Sequence, residues 1–239
     1  MLAAAYQSTR YQSINLGMSR LTYFKHRGRV PFQLAGLRLR RFCALAGKPL
    51  SGRGLLDVWF AFFDLTGFFD LYELLTNGLF PNTRPLSVDE HNLLFPIFGD
   101  SVPYHLIRID ERALIGPSWA GFFYVSFHTI NSWGAIQPPT LVHEVVHIWQ
   151  YTHRGAAYIP RALYAQTTQE GYNYGGLAPL KQRSALEDFN YEQQADIIED
   201  AFRLTNGYQA QWVRGRGAEV LPAYYPYLEE VSSKRSALL

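Results

Sequence analysis

The segment from Pro139 to Tyr151 constrains the fold of this chain most, because it places two histidines and a glutamate within an apolar helix. His143 and His147 are four residues apart, so on a helix they are separated by roughly 40° around the axis and about 6 Å along it. Their ring nitrogens can therefore meet at one metal ion, and Glu144 lies one step round the helix, close to a water on that ion. Burial of these three side chains is costly unless a ligand or hydrogen bonds satisfy them.

The pattern His-Glu-x-x-His is the signature of zincins, a class of zinc-dependent hydrolases. It occurs by chance in roughly one chain of this size in a hundred, so the surrounding sequence must decide between a metal site and its alternative. The alternative is a buried helix whose histidines form hydrogen bonds with backbone carbonyls. We favour a zinc site, because the rest of the chain offers a third ligand at a suitable spacing.

Glu192 is the candidate for the third zinc ligand, 45 residues after His147 on a second predicted helix. Asn190 is a natural N-cap for this helix. Asp196 follows Glu192 by one turn, which resembles the arrangement in gluzincins, where the glutamate binds zinc and the aspartate holds a ligand histidine by its far ring nitrogen. Tyr191 departs from that pattern, because the thermolysin-type sequence has asparagine directly before the glutamate.

Two other interpretations of these helices stay open. His153 follows His147 at the spacing of the third histidine in metzincins, but Gln150 stands where that family needs a glycine. If the helix continues, His153 lies about 9 Å further along its axis than His147, too far for the same ion. The acidic residues of the second helix could instead form an ordinary solvated face that binds no metal.

The motif also predicts the chemistry of the site. Glu144 would take a proton from a zinc-activated water and pass it to the leaving amine. The developing oxyanion needs a second donor, and Tyr172, Tyr174 and His153 are the candidates, between which the sequence does not choose. The sequence of residues 122–128 predicts a strand just before the metal helix. We expect this strand to lie at a sheet edge and to pair with the substrate backbone.

Charge is distributed unevenly along the chain. Residues 1–54 contain ten of the 22 Lys and Arg residues and no Asp or Glu, although the net charge is only +2. We expect this basic segment to pack on the acidic body; the alternative is docking on an anionic membrane or a partner. No recognised nucleic-acid-binding module accompanies the charge, which argues against a nucleic-acid partner.

Cysteine usage and the first residues bear on the redox state and the delivery of the chain. Cys43 is the only cysteine, which excludes an internal disulfide and a thiolate zinc cage. Met1 to Gln12 lacks the basic start and apolar core of a secretory signal. We therefore expect that action outside the producing cell would depend on another carrier.

The stretch from Leu55 to Phe80 is apolar and long enough to span a bilayer, but four carboxylates interrupt it. These acids change helical phase at Thr66-Gly67, which predicts two short amphipathic helices joined there. We therefore expect this stretch to pack in the core and regard membrane contact as the weaker interpretation.

A resemblance to a known family rests on three segments. They are Phe98-Gly-Asp-Ser-Val102, His143-Glu-Val-Val-His147-Ile-Trp-Gln150 and Asn190-Tyr-Glu-Gln-Gln-Ala-Asp196. With them, the stretch from about Leu86 to Phe202 resembles the metallopeptidase domains of bacterial toxins, most of all the C-terminal metallopeptidase domains of VgrG spike proteins of type VI secretion systems. The resemblance implies a zinc-dependent effector that is delivered into another cell and acts in its envelope. It also implies a spike or carrier protein and an immunity protein as partners, and it supports Glu192 as the third ligand.

These patterns together predict an α+β, mostly helical, zincin-like fold with a small sheet beside the His-Glu-x-x-His helix. Residues 1–80 would form a basic, then apolar, helical region packed on a metallopeptidase domain of residues 81–239. The predicted function is a Zn²⁺-dependent peptidase that acts on a protein or peptide. The alternative, from another class, is a zinc-stabilised binding or membrane-perturbing toxin module without peptidase activity.

Overall fold

The computed structural model describes residues 20–48, 52–79, 82–113, 123–215 and 217–233. Its helices, numbered in chain order, are α1 (Arg20–Arg27), α2 (Val30–Ala46), α3 (Gly52–Leu65), α4 (Phe68–Leu79), α5 (Val88–Phe98), α6 (Pro138–Arg154), α7 (Tyr158–Gln166), α8 (Leu177–Gln182), α9 (Tyr191–Thr205), α10 (Gly217–Val220) and α11 (Tyr225–Ser232). Its strands are β1 (Thr83–Pro85), β2 (Arg108–Asp110), β3 (Tyr124–Ser126) and β4 (Thr129–Asn131). Helices dominate and the small sheet contacts α6 through β3, which confirms the predicted α+β, mostly helical class.

The four strands form a mixed sheet in the order β1-β2-β4-β3. The central strands β2 and β4 are parallel, with Ile109 opposite Ile130, and both side chains are fully buried. The outer pairs are antiparallel. Since β3 is the last strand in this order, it lies at an edge of the sheet, as expected for residues 122–128. The strand is shorter than predicted, because Phe127 has a φ of 59° and turns the chain into β4. Residue 122 lies outside the described residues.

Helices α6 and α9 pack along each other and carry the two predicted motifs. Helix α6 begins at Pro138, where proline fits the first turn, and ends before Gly155, whose φ is +72°. Helix α9 begins after Asn190, whose side chain accepts a hydrogen bond from the backbone N–H of Gln193. The apolar faces of both helices enter one core, in which Trp149 is fully buried.

The apolar stretch after residue 54 is divided at Gly67, as predicted. Gly67 has a φ of +73°, which residues with a Cβ rarely adopt, and the turn at this residue separates α3 from α4. All four carboxylates of the two helices are buried. They are Asp57, Asp64, Asp70 and Glu73.

Buried arginines of α1 and α2 neutralise most of these acids. Arg27 pairs with Asp70 and Glu73, and Arg38 pairs with Asp64 and Asp70. The described part of the basic segment therefore pairs with acids that follow residue 54, in the acidic remainder of the chain.

Other groups join this N-terminal region to the rest of the chain. Arg41 donates to the backbone carbonyls of Thr152 and His153 at the end of α6, at 2.9 and 2.7 Å. The Tyr151 hydroxyl donates to Asp64 at 3.2 Å. The described part of residues 1–80 therefore contacts the end of α6, and the division of the chain into residues 1–80 and 81–239 stays a prediction. None of the described helices combines the length and apolar character needed to cross a membrane.

Candidate metal centre

Three predicted ligands converge between α6 and α9. The Oε2 atom of Glu192 lies 3.5 Å from Nε2 of His143 and 3.6 Å from Nε2 of His147. The two imidazole rings stand at 75° to each other with centroids 5.1 Å apart, so their Nε2 atoms face a common point. Two helices that are distant in sequence thus bring two nitrogens and one oxygen to a single position.

The chemistry of these three atoms fits a zinc ion. Zinc binds histidine nitrogen at about 2.0–2.1 Å and carboxylate oxygen at about 2.0–2.2 Å, so the edge of its tetrahedron is about 3.4 Å. The separations of 3.5 and 3.6 Å match that edge and are too long for good hydrogen bonds. Oε2 of Glu192 is buried without a hydrogen-bond partner, a costly state unless a cation contacts it. Within the described residues, no fourth His, Cys, Asp or Glu joins this group.

His143 is held from behind by two carboxylates of α9. Its Nδ1 atom lies 2.9 Å from Oδ1 of Asp196 and 3.2 Å from Oε2 of Glu199. Asp196 in turn accepts a hydrogen bond of 2.6 Å from the indole N–H of Trp212, and Glu199 pairs with Arg203 at 2.7 Å. These contacts fix the ring of His143 with Nε2 directed at Glu192.

His147 is oriented by an amide relay instead of a carboxylate. Its Nδ1 atom lies 2.8 Å from Oε1 of Gln150, one turn further along α6. The amide nitrogen of Gln150 donates to the backbone carbonyl of Tyr191 and to Oε1 of Gln194, at 2.9 and 3.0 Å. Since the Gln150 oxygen can only accept, Nδ1 of His147 carries a proton, so in the neutral ring the lone pair lies on Nε2.

The charges around the centre favour a cation. Burial disfavours protonation of His143, but its contacts with the carboxylates of Asp196, Glu192 and Glu199 outweigh this and raise its pKa well above the usual 6.5. Burial also opposes ionisation of Glu192, yet the two histidines outweigh it and hold its pKa below the usual range. The acidic face of α9 is thus not solvated, because Glu192, Asp196 and Glu199 are all buried.

Glu144 lies in the same cleft as the ligands, on the next position of α6. Its side chain is buried, and burial raises its pKa above the usual 4.5 although the two histidines oppose that rise. The cleft has a volume of about 430 Å³, and one wall is the sheet edge, with Phe123, Tyr124 and Val125. An extended chain could pair with this edge and pass over the metal ligands.

The structure places the two tyrosines that the sequence suggested as oxyanion donors in different environments. Tyr172 lines the cleft, its ring centroid is 6.0 Å from that of His143, and burial raises its pKa to about 12. Tyr174 is not among the cleft residues: its hydroxyl donates to Asp200 at 2.6 Å and contacts the hydroxyl of Tyr224. The prediction for Tyr174 is therefore corrected, because its hydroxyl is engaged in the core between α9 and the residues after α10.

His153 also lies away from the centre, because α6 continues to Arg154 without a turn. Its Nδ1 atom donates to the backbone carbonyl of Trp149 at 2.8 Å, and the two rings pack together. It is therefore neither a third ligand nor a donor in the cleft.

Sequence reasoning missed several residues that shape the site. Tyr158 on α7 is buried in the cleft wall with its ring 6.3 Å from that of His147. Gln166, also on α7, donates to the other oxygen of Glu192 at 3.0 Å. For Gln150 and Glu199 a signal existed, since each lies three residues after a recognised site residue on the same helix face. Trp212 had none.

Comparison with known proteins agrees with part of this picture. The chain is 30% identical over 156 residues to the type VI secretion system spike protein VgrG2b of Pseudomonas aeruginosa. That match covers 58% of this chain but 15% of the spike protein, so the chain spans a small part of the curated relative it matches. No protein-family model matches the chain, and no solved structure matches it significantly. The predicted relation to a VgrG spike protein is thereby confirmed as a sequence similarity.

Proposed function

We propose that this chain is a zinc-dependent peptidase. The observation that carries the proposal is the convergence of His143, His147 and Glu192, with a buried carboxylate oxygen that lacks a hydrogen-bond partner. Three protein ligands leave one tetrahedral position for water or substrate, which is typical of catalytic zinc, whereas a structural site is closed by four.

Each residue of the cleft then has a defined role. Zinc, when bound, supplies Lewis acidity that polarises a carbonyl and acidifies water. Glu144 accepts the proton of the attacking water and later passes it to the leaving amine, and its raised pKa makes its carboxylate a stronger base for the first of these steps. Tyr172 stays protonated at neutral pH and offers a hydrogen bond to the developing oxyanion. The edge of β3 holds the substrate backbone in place.

Replacement of Glu144 by glutamine tests this role directly. We expect Glu144→Gln to retain zinc, because Glu144 is not a ligand, and to lose at least about a hundredfold in peptide hydrolysis. Metal content and digestion of a peptide library are the measurements. Glu170→Gln, which removes an equal charge at an exposed position outside the cleft, is the control. Full hydrolysis by the Glu144 variant would refute the peptidase proposal.

We further propose that the chain acts as an effector associated with a type VI secretion system. The similarity to a spike protein supports this origin. An effector of this kind would be carried by a spike, would act in the envelope of the target cell and would be neutralised by an immunity protein in the producer. Expression of the full chain in bacteria, with and without an added secretion leader, tests the location. Toxicity confined to the exported form and abolished by Glu144→Gln is expected; toxicity that survives this substitution would favour a binding or membrane-perturbing toxin with structural zinc.

A further inference from the structure

Helix α3 presents its apolar face to solvent and its charged face to the protein interior. Leu55, Trp59 and Phe62, spaced as one helical face, are all exposed, and Trp59 exposes 57% of its surface. The opposite face contains Asp57 and Asp64, which are buried. Soluble helices normally have the reverse arrangement, with apolar residues inside.

Helix α4 repeats this inverted pattern. Its outward face consists of Phe68, Leu71, Tyr72 and Leu75, all exposed and spaced at three and four residues. Its inward face carries Asp70 and Glu73, which pair with buried arginines. The two helices together therefore expose a broad apolar surface.

Three exposed rings of this surface contact one half-buried ring, that of Phe63, and the half-buried ring of Phe42 adjoins the group. Phe63 lies at the centre, with ring centroids 5.7 Å from Trp59, 6.0 Å from Phe62 and 5.2 Å from Phe68. Phe42 of α2 extends the cluster, 6.2 Å from Phe62. We call these five residues the aromatic face. Contiguous exposed apolar surface of this kind is uncommon on monomeric proteins and marks an interaction site.

The exposed charges of helices α1 to α4, in the part of the chain that the structure describes, have one sign. Every Asp and Glu within residues 20–48 and 52–79 is buried, so the described part of this region exposes no carboxylate. Four Lys and Arg residues of the described part are exposed there. They are Lys25, Arg29, Arg40 and Lys48. The region thus combines an apolar surface with an unbalanced positive charge.

We propose that the aromatic face docks on an anionic lipid bilayer, with α3 and α4 lying in the plane of the interface. Amphipathic helices bind such surfaces through buried apolar area together with cations that attract anionic headgroups, and tryptophan favours that interface. The sequence argued against membrane contact because four carboxylates interrupt the apolar stretch; in the structure all four point away from the exposed face. This docking does not depend on the metal centre or on peptidase activity.

Docking would bring the cleft close to the bilayer. Arg161 of α7 pairs with Asp57 of α3 at 2.6 Å, so α7 lies against the inward face of α3, one helix layer behind the face that carries Trp59. Leu163, on the same α7, lines the cleft and is exposed. The site would then be presented to substrates near a membrane surface.

Vesicle flotation of the full chain tests the proposal. We expect binding to phosphatidylcholine vesicles that contain about one-third phosphatidylglycerol to exceed binding to pure phosphatidylcholine by roughly tenfold or more, and to fall with salt. The triple variant Trp59→Ser, Phe62→Ser, Phe68→Ser should lose this binding. The matched control Val88→Ser, Tyr225→Ser, which removes exposed apolar side chains of α5 and α11, should retain it. Absence of binding by the wild-type chain, or equal binding by the triple variant, would overturn the proposal.

Two further measurements separate a bilayer from a protein partner, and neither depends on the triple variant. Arg29→Gln, Arg40→Gln should weaken binding to anionic vesicles by about fivefold per residue. Brominated lipids should quench the fluorescence of the bound chain, and Trp59→Phe should remove most of that quenching. Light scattering that shows a dimer disrupted by Trp59→Phe, with no quenching by lipid, would assign the aromatic face to a second copy of the chain and refute the bilayer.

Discussion

Glu192 is the residue on which the proposed metal centre depends most. Its two oxygens are in different environments: Gln166 donates to Oε1 at 3.0 Å, whereas buried Oε2 faces both histidines without a hydrogen bond. A buried carboxylate oxygen in that position is stabilised by a shared cation. The oxygen that has no hydrogen-bond partner, more than the two histidines, therefore supports the proposed metal.

Glu192→Gln should lower zinc affinity at least tenfold, because a neutral amide oxygen is a poorer ligand at nearly the same volume. Zinc should also raise the melting temperature of the wild-type chain through linkage, and this increase should disappear in the variant. Chelator competition and thermal unfolding with and without zinc are the measurements, with Glu170→Gln as the control. Unchanged zinc affinity in Glu192→Gln would exclude Glu192 as a ligand.

In the proposed metal centre, Asp196 would act on the metal through His143. Asp196→Asn should weaken zinc binding about tenfold to a hundredfold, because the amide is a weaker acceptor for Nδ1–H of His143. Asp89→Asn, at an exposed position of α5, is the control for a lost negative charge. An affinity equal to that of the wild-type chain would show that Glu199 alone orients the ring.

At the scale of elements, the turn between α3 and α4 determines which side chains of the apolar stretch are buried. A continuous helix would place Asp57, Asp64, Asp70 and Glu73 around its circumference. The positive φ of Gly67 resets the phase, so that all four acids turn inward and the aromatic face turns outward. The turn at this one residue thus allows both helices to direct their acids into a buried ionic network and their apolar side chains to the surface.

Gly67→Ala should destabilise the chain by about 1–2 kcal/mol, since an L-residue with a Cβ is strained at a φ of +73°. Gly36→Ala is the matched control: Gly36 lies inside α2, is exposed and has no neighbour within 4 Å of an added Cβ. That change should stabilise the chain by about 0.5–1 kcal/mol. Denaturant unfolding measures both, and a destabilisation by Gly36→Ala equal to that by Gly67→Ala would contradict the argument from φ.

For the molecule as a whole, a buried ionic network joins the N-terminal helices to the sheet. Glu73 accepts a hydrogen bond of 2.8 Å from the backbone N–H of His128, lies 3.1 Å from its Nδ1 atom and pairs with Arg27. Burial opposes ionisation of Glu73, but Arg27 and His128 outweigh it and lower its pKa below the usual 4.5. The carboxylate therefore contributes stability above the unfolded pKa of 4.5, which is lost as pH falls through the lower folded pKa.

Glu73→Gln should destabilise the chain by about 3–5 kcal/mol at neutral pH, because it leaves Arg27 with a weaker buried partner. The acid-induced loss of stability below about pH 4.5 should also become shallower than in the wild-type chain. Glu187→Gln, which removes an exposed partner of Arg154, should cost less than about 1 kcal/mol. Denaturant unfolding at several pH values is the measurement, and equal effects of the two substitutions would contradict a role for burial.

The sequence by itself determined the parts that depend on local geometry. The spacing of His143 and His147 follows from helical periodicity, and the caps at Asn190 and Gly155 follow from backbone hydrogen bonding and a positive φ. The break at Gly67 and the pairing of Glu192 with Asp196 on one helix face are of the same local kind.

Only the tertiary structure decided how distant segments meet. The engagement of Tyr174 by Asp200, the hydrogen bond from Trp212 to Asp196 and the inward direction of the acids in α3 and α4 all join residues of separate elements. Contacts of this kind leave no periodic signal in the chain. They arise from the packing of helices whose relative positions are fixed by buried charge pairs and by the common core, and that packing alone turns α3 and α4 with their aromatic side chains toward solvent.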